Sequence, residues 1–393
     1  MTIQRLDLFH VALPLRTRIK HASHDRVSSD SLIVRVTLGN GTVGYGEGVP
    51  RPYVTGESIA TTFETITRFD VARHLGRPND YAQVVERLDR LRFPETASDP
   101  RGMAGNSARC ALELAILDAY GAHFDKTIGE AIRYVNVPGV SLSAKPTRVR
   151  YSGAVTAASS RRELVSAAKM WGYGFRQIKV KVGIPGQDDV SRMRALRRVV
   201  LKGMDLRIDA NEAWSAAEVV ERVRPLLPFH PSVLEQPVPH AEVDALAEIR
   251  PRIGMPVMLD ESLCGYPDAV RAVERGLTDY FNVRLSKCGG ILPTLRLVGL
   301  ATQRGLRVQL GCHPGETGLL SAAGRHFAGN VRGLSYVEGS YDAHLLDRNV
   351  TLENVTFGYG GLAPPLRGPG LGVEIDIPAL ESMTKDRREI RYD

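Results

Sequence analysis

Cysteine is scarce and unpaired in this chain: four in 393 residues, none in a Cys-x-x-Cys pair. That excludes a disulfide-stapled scaffold and a thiolate-rich zinc site. Cys110 sits within ARCALELAIL and reads as core, while Cys264, Cys288 and Cys312 read as reduced, partly buried thiols. Long hydrophobic runs are also missing. No window approaches the 18 apolar residues of a membrane-spanning helix. The opening MTIQRLDLFHVALPLRTRIK lacks the uninterrupted apolar stretch of a secretory signal, so a cytoplasmic protein is expected. A dense basic stripe with interleaved aromatics is absent as well. The formal charge of +7 comes from dispersed residues such as Arg192, Arg194, Arg197, Arg198 and Lys202. Nucleic acid is therefore not an expected partner, and the excess gives only a mild pull on anionic small molecules.

What is present is the composition of a soluble globular protein, 43% hydrophobic and 24% charged. A chain of this length suits two domains, one of them a barrel of about 250 residues. Residues 1–135 read as an α+β domain. An alternating first strand is followed by SLIVRVTL, Gly39-Asn40-Gly41 and Thr42–Gly46, the pattern of a hairpin turned at Asn-Gly. Between them lies a polar loop with His21, read either as a connector or as a lid. Ser58–Phe69, Tyr81–Leu91 and Asn106–Phe124 have helical spacing, the last apolar nearly all round and so buried between layers.

From Gln177 to Gly290 charged residues recur every 25 to 28 positions, each where a short Val/Ile/Leu-rich run stops. They are Lys181 in QIKVK, Asp209 in LRID, Glu235 in SVLE, Asp260 in PVMLD and Lys287 after FNVRLS. Helix-like segments fill the gaps. This is the rhythm of strand–helix units with functional groups at the C-terminal strand ends. Strands are expected near 150–154, 177–182, 205–209, 233–235, 256–260, 280–285, 307–310 and 336–337, with helix caps at Ser159/Ser160, Asp188/Asp189, Ser215 and Thr317. Eight such units over 136–355 predict an α/β fold, a (β/α)8 TIM-type barrel with an N-terminal α+β capping domain. The repeat alone also fits a doubly wound open sheet. Residues 356–393 form a Gly/Pro-rich segment expected to return to the first domain, its last ten residues solvated.

Asp209, Glu235 and Asp260 come from successive strands, and adjacent strands lie roughly 4.8 Å apart. Three carboxylates at matching heights can converge on one cation, and all-oxygen ligation suits Mg²⁺ or Mn²⁺ rather than Zn²⁺. Lys181 precedes the first acid by one repeat and Lys287 follows the last by one, which predicts an amine on either flank. Lys179 and Lys181 share a sheet face. Neighbouring positive charge is expected to depress the Lys181 amine and make it a usable base.

This ordered set resembles the enolase superfamily, specifically its muconate-lactonising branch (the mandelate racemase/muconate lactonising enzyme family). The resemblance spans essentially the whole chain through KxK (Lys179, Lys181), DxN (Asp209, Asn211), EQP (Glu235–Pro237), DES (Asp260–Ser262) and KxGG (Lys287–Gly290). It implies removal of the proton α to a carboxylate, with Mg²⁺ bound by Asp209, Glu235 and Asp260 and an enediolate intermediate. It further implies Lys181 as base on one face, Lys287 as acid or base on the other, Lys179 in electrostatic support, and a homo-oligomer. Specificity loops are expected near Lys20–Ser23 and Tyr53. Asn211, Glu261, Glu316, Glu338 and His21 are the further candidates for supporting the ligands or touching substrate. Two departures stand out. After Gly311-Cys312 the chain reads His313-Pro314-Gly315-Glu316, so Glu316 takes the place of a glutamate that branch members carry earlier. His313 resembles a strand-seven histidine base, but its usual aspartate partner is replaced by Lys287, so a non-catalytic His313 is expected. On the last strand Glu338 stands where dipeptide epimerases carry Asp-x-Asp, which argues against dipeptide specificity.

Lysines facing each other across a metal support racemisation or epimerisation of an amino-acid derivative or dipeptide, the favoured function. The same constellation supports cycloisomerisation or β-elimination (a dehydratase) on another small-molecule carboxylate. A non-catalytic binding barrel is the remaining alternative, and it would lack one of these ligands or bases; none is lacking.

Overall fold

The structure, a computed structural model, describes residues 1–20, 25–94, 105–155 and 160–392. Alternation of buried and outward residues builds the long first strands: β1 (Ile3–Lys20) and β2 (Asp25–Leu38) pair antiparallel, and β3 (Val43–Gly48) pairs with β2. The β2–β3 turn is made at Gly39-Asn40-Gly41, where the Asn40 side chain accepts from the Thr42 amide and Gly41 takes φ 84°. Across the face of β3 lies helix Asn106–Phe124, buried on nearly every side. The approach is closest at Gly44, Gly46 and Gly48, where an added Cβ would strike the helix backbone at Ala119, Ala111 and Ser107. That contact explains VGYGEG, a strand sequence that would otherwise be poor.

The second layer is a parallel sheet. Its strands are β5 (Gly153–Val155), β6 (Gln177–Lys181), β7 (Asp205–Asp209), β8 (Leu234–Glu235), β9 (Val257–Leu259), β10 (Tyr280–Val283), β11 (Arg307–Leu310) and β12 (Leu334–Val337). They follow one another in chain order with no reversal. That order rules out the doubly wound alternative, which needs a switch point. The sheet curls far enough that β7 touches β11 and β12: the Arg207 guanidinium meets Gln309 and Glu338 and stacks 4.3 Å over the Tyr336 ring. The Ser152 amide also donates to Val337 O at 2.8 Å, between the chain entering the first of these strands and the last strand.

Three local expectations are corrected. The first parallel strand begins at Gly153, because β4 (Val149–Arg150) pairs instead with β13 (Leu362–Ala363). The helix expected to be capped by Ser215 starts at Val219 with Glu218 as its cap residue, Ser215 closing the preceding turn. The final residues are solvated only in their side chains. As β14 (Thr384–Arg391) their backbone pairs antiparallel with β1, giving the sheet order β14-β1-β2-β3.

Buried carboxylates join the two layers. Glu47 at the end of β3 accepts from the Thr317 and Leu320 amides and the Thr317 hydroxyl, capping helix Gly318–Asn330. Glu113 accepts from the Leu292 amide at the start of helix Ile291–Gln303, with Arg109 2.6 Å away. Within the first layer, Glu57 caps helix Asn106–Phe124 in the same way through the Ser107 amide. Each is a carboxylate at the positive end of a helix. No helix among the described residues is long and apolar enough to cross a membrane.

Candidate active site

The C-terminal ends of β6 to β9 set the site. Lys181 is opposite Asp209 in the β6–β7 ladder, and Asp209 is opposite Glu235 in the β7–β8 ladder, so the three stand level across neighbouring strands. Asp260 follows one residue past β9, its amide and that of Ser262 both bonded to Gln236 Oε1. The Gln236 amide group donates to Ser262 Oγ and Val238 O, tying EQP to DES. Just past Asp209 and Glu235 the backbone is strained, with φ 43° at Asn211, 64° at Glu212 and 35° at Gln236. Positive φ at non-glycine residues costs energy and clusters where a scaffold over-determines geometry. Asn211 donates from its amide group to Glu261 Oε1 at 3.2 Å and from its backbone to Asp209 Oδ1 at 3.0 Å.

Asp209, Glu235 and Asp260 are essentially fully buried. Cations meet them directly. Lys179 Nζ lies 3.3 Å from Asp209 Oδ2, 3.1 Å from Glu235 Oε1 and 3.0 Å from Glu338 Oε2. Asn282 donates to Glu235 Oε1 at 2.9 Å. Asp260 is held by Arg284 and by Lys287 Nζ at 2.7 Å. With side chains so engaged, no three His, Cys, Asp or Glu residues among the described ones converge in a metal-binding cluster. The donor set nevertheless fits a hard divalent cation: three buried carboxylates, oxygen only, on successive strand ends, two of them in register.

The same environment separates the lysines. Burial alone would lower Lys179, but Glu235, Glu338 and Asp209 together outweigh it and hold the ammonium charged. Lys181 is lowered, chiefly by burial, with Lys179 adding to the effect against the pull of Asp209. Burial rather than the paired ammonium is thus the main cause. Lys287 is also lowered, by burial first, with Arg284 acting in the same direction. Glu261 is pushed up to about 8 by burial and then by the charges of Asp209, Glu212 and Glu235.

Other expected residues fall close by. Glu316 is pushed up to about 8 by burial, although the His313 amide donates to it at 2.6 Å. The His313 ring lies 3.6 Å from the same carboxylate. Glu338 bridges Lys179 and Arg207. Tyr53 packs with Val54 and Cys264, just past Ser262. His21 lies outside the described residues. Sequence reasoning missed Arg284, Arg207 and Asn282. Each stands in an apolar strand run, and the only signal was a charged or amide residue where a buried strand has no other use for one.

A family model described as "Enolase C-terminal domain-like" matches residues 163–380. The chain is 28% identical to the N-succinyl-L-Arg/Lys racemase of Bacillus cereus over 389 residues, 98% of both chains. The crystal structure of N-succinyl Arg/Lys racemase from that organism superposes with a TM-score of 0.84 at 26% identity, covering 100% of each chain. Similarity to the hydrophobic dipeptide epimerase of Enterococcus faecalis is 28% over 358 residues, 88% of this chain and 92% of the relative. A dipeptide epimerase from the same species, crystallised with Mg and L-Leu-L-Tyr, gives a TM-score of 0.81 at 25% identity over 95% of this chain and 100% of that one. Muconate cycloisomerase 1 of Rhodococcus opacus is 26% identical over 398 residues, 98% of this chain and 99% of the relative.

Proposed function

Because this chain belongs to the enolase C-terminal domain-like family, we propose that it is an enzyme removing the proton α to the carboxylate of a small amino-acid derivative or dipeptide, with Lys181 as the base. The observation that carries this reading is the Lys181 amine, lowered in proton affinity and level with Asp209 and Glu235 across two strand ladders. The residues that would hold Mg²⁺ (or Mn²⁺) are Asp209, Glu235 and Asp260, and the ion would supply Lewis-acid stabilisation of negative charge on the substrate carboxylate. Lys179, kept charged by three acids, adds fixed positive potential beside them. Gln236 and Asn211 orient the acids, and Glu261, Glu316 and Glu338 line the same mouth. The eight strands close into a barrel in this reading, supported by the Ser152–Val337 bond and the Arg207 contacts across the sheet. Residues 1–135 and 356–393 make its cap and 136–355 the barrel. Family membership underlies the proposal of a cytoplasmic homo-oligomer.

Racemisation or epimerisation is the outcome carried by the names of the Bacillus and Enterococcus relatives. It needs a second proton-transferring group on the other side of the acids. Cycloisomerisation or β-elimination is a second reading, and one observation favours it: the Lys287 ammonium is fully buried and bonded to Asp260 O, Asp260 Oδ1 and Asn282 O. Both begin with the same step, which exchange in D₂O tests. With Mg²⁺ and a set of N-acylated amino acids and dipeptides, the wild type incorporates deuterium at Cα. Lys181→Ala loses about 10²- to 10⁴-fold in that rate. An alanine variant exchanging as fast as wild type would sink the assignment.

A further inference from the structure

We infer that Arg284, rather than Lys287, is the cation that the β10 side of the site presents to the substrate's negative charge. The inference rests on the enolising reading of Lys181 and concerns what stands across the acids from it. An ammonium has three donors. Those of Lys287 go to Asp260 O at 2.7 Å, Asp260 Oδ1 at 2.7 Å and Asn282 O at 2.9 Å, and its side chain is 0% exposed. To trade a proton with substrate it would have to abandon all three and leave Asp260. Arg284, three residues earlier, is placed differently. Its side chain retains 10% exposure and reaches Asp260 through one Nη. Its Nε is buried and has no hydrogen-bond partner among the described residues. Its charge is felt at Lys181, four strands away in the ladder order, and at Glu316 beyond β11.

A guanidinium offers five donors in a fixed fork that matches a carboxylate or an enolate oxygen pair. An incoming anionic oxygen would satisfy the orphaned Nε. The ligand class is therefore a carboxylate, or the dianion formed when Cα–H is cleaved. Arginine keeps its proton in proteins, so it holds charge but returns no proton. The step then balances on one face. The Lys181 lone pair takes the α-proton, and the C–H electron pair moves into a Cα=C bond as charge builds on the carboxylate. The electrons then either recapture the proton from Lys181 on the same face or expel a β-substituent, which takes that proton away. No oxidant or other reactant is needed.

N-succinylglycine with Mg²⁺ in D₂O is the probe, because its α-carbon carries one hydrogen toward each face. The wild type replaces a single hydrogen, so the mass gain stops at one deuterium. Arg284→Lys places a titratable amine on the far side and replaces both. Wild-type exchange of both hydrogens at comparable rates overturns the inference, as does an Arg284→Lys variant that still exchanges only one. Should neither hydrogen exchange, the enolising reading fails for this probe and calorimetry with the same ligand decides about Arg284. Arg284→Gln weakening binding about tenfold or more, with Arg284→Lys near wild type, upholds the assignment. Binding unaffected by the glutamine substitution, or no wild-type binding at millimolar concentration, overturns it.

Discussion

At the mouth of the parallel sheet, Asp209, Glu235 and Asp260 are met by side-chain cations, whereas Glu47, at the junction with the N-terminal sheet, and Glu57, within the N-terminal layer, are met by helix-end amides and hydroxyls. Both sets are buried. The difference lies in what can be exchanged. A lysine or arginine can be displaced by a divalent ion or reoriented by a substrate, so the mouth acids remain available for chemistry. Helix-end amides are fixed by the fold, so Glu47 is committed to docking one layer on another and Glu57 to holding helix Asn106–Phe124 in place. Burial pushes Glu47 and Glu57 up, and their hydrogen bonds only partly offset it. Glu113 is intermediate, with one guanidinium and one helix end. A buried acid is thus a poor guide to function until its partners are known.

The contrast can be broken most directly at Lys181. Its replacement by alanine removes two to four orders of magnitude of α-proton exchange and leaves thermal stability close to wild type. Glu47→Ala is expected to do the reverse. It strands the Thr317 and Leu320 amides and costs about 3 kcal/mol in denaturant unfolding, while exchange per folded molecule is retained. Mg²⁺ sharpens the distinction. At about a hundred times its dissociation constant it raises unfolding free energy by about 2.7 kcal/mol, read as a melting shift, and Asp260→Asn abolishes most of that shift whereas Glu47→Ala leaves it in place.

Gly290→Ala probes the docking side alone. Gly290 has φ 115°, and an added Cβ would lie 2.5 Å from Glu113 Oε1. A loss of about 2 kcal/mol is expected from melting. The last prediction is a pH dependence at Asp118, another buried acid. It accepts from the Tyr45 and Leu371 amides and is pushed by burial up to about 7. A raised folded value means the unfolded chain releases its proton first as pH climbs. Stability from this group is complete below about 3.8 and falls until about 7. The stability difference between Asp118→Asn and wild type should therefore rise in favour of the variant over that window and level off above it. A flat difference would show Asp118 ionised throughout.

Much of this was legible before any coordinates, and the reasons are physical. A strand that ends in a carboxylate after a run of Val, Ile and Leu announces itself, and Asp209, Glu235 and Asp260 did so at even spacing. Helix Asn106–Phe124 was readable to the residue because its apolar character persists on every face. Arg207 and Arg284 were not, because a cation in a strand looks solvent-facing until the sheet curls and its inner face becomes an interior. The glycines of KxGG read as part of a catalytic motif, yet the structure gives Gly290 a role against Glu113 of the other layer. β14 was hidden by its charge: KDRRE has the composition of a tail, and its backbone alone pairs with β1.

That pairing has a consequence for how the molecule is made. β1 is translated ahead of the parallel sheet, but the strand that lines its outer edge follows all eight parallel strands. Throughout that interval the nascent N-terminal sheet keeps an open flank able to recruit foreign strands. When β14 arrives, its exposed Lys385, Asp386, Arg387, Arg388 and Glu389 leave a charged rim that disfavours further additions.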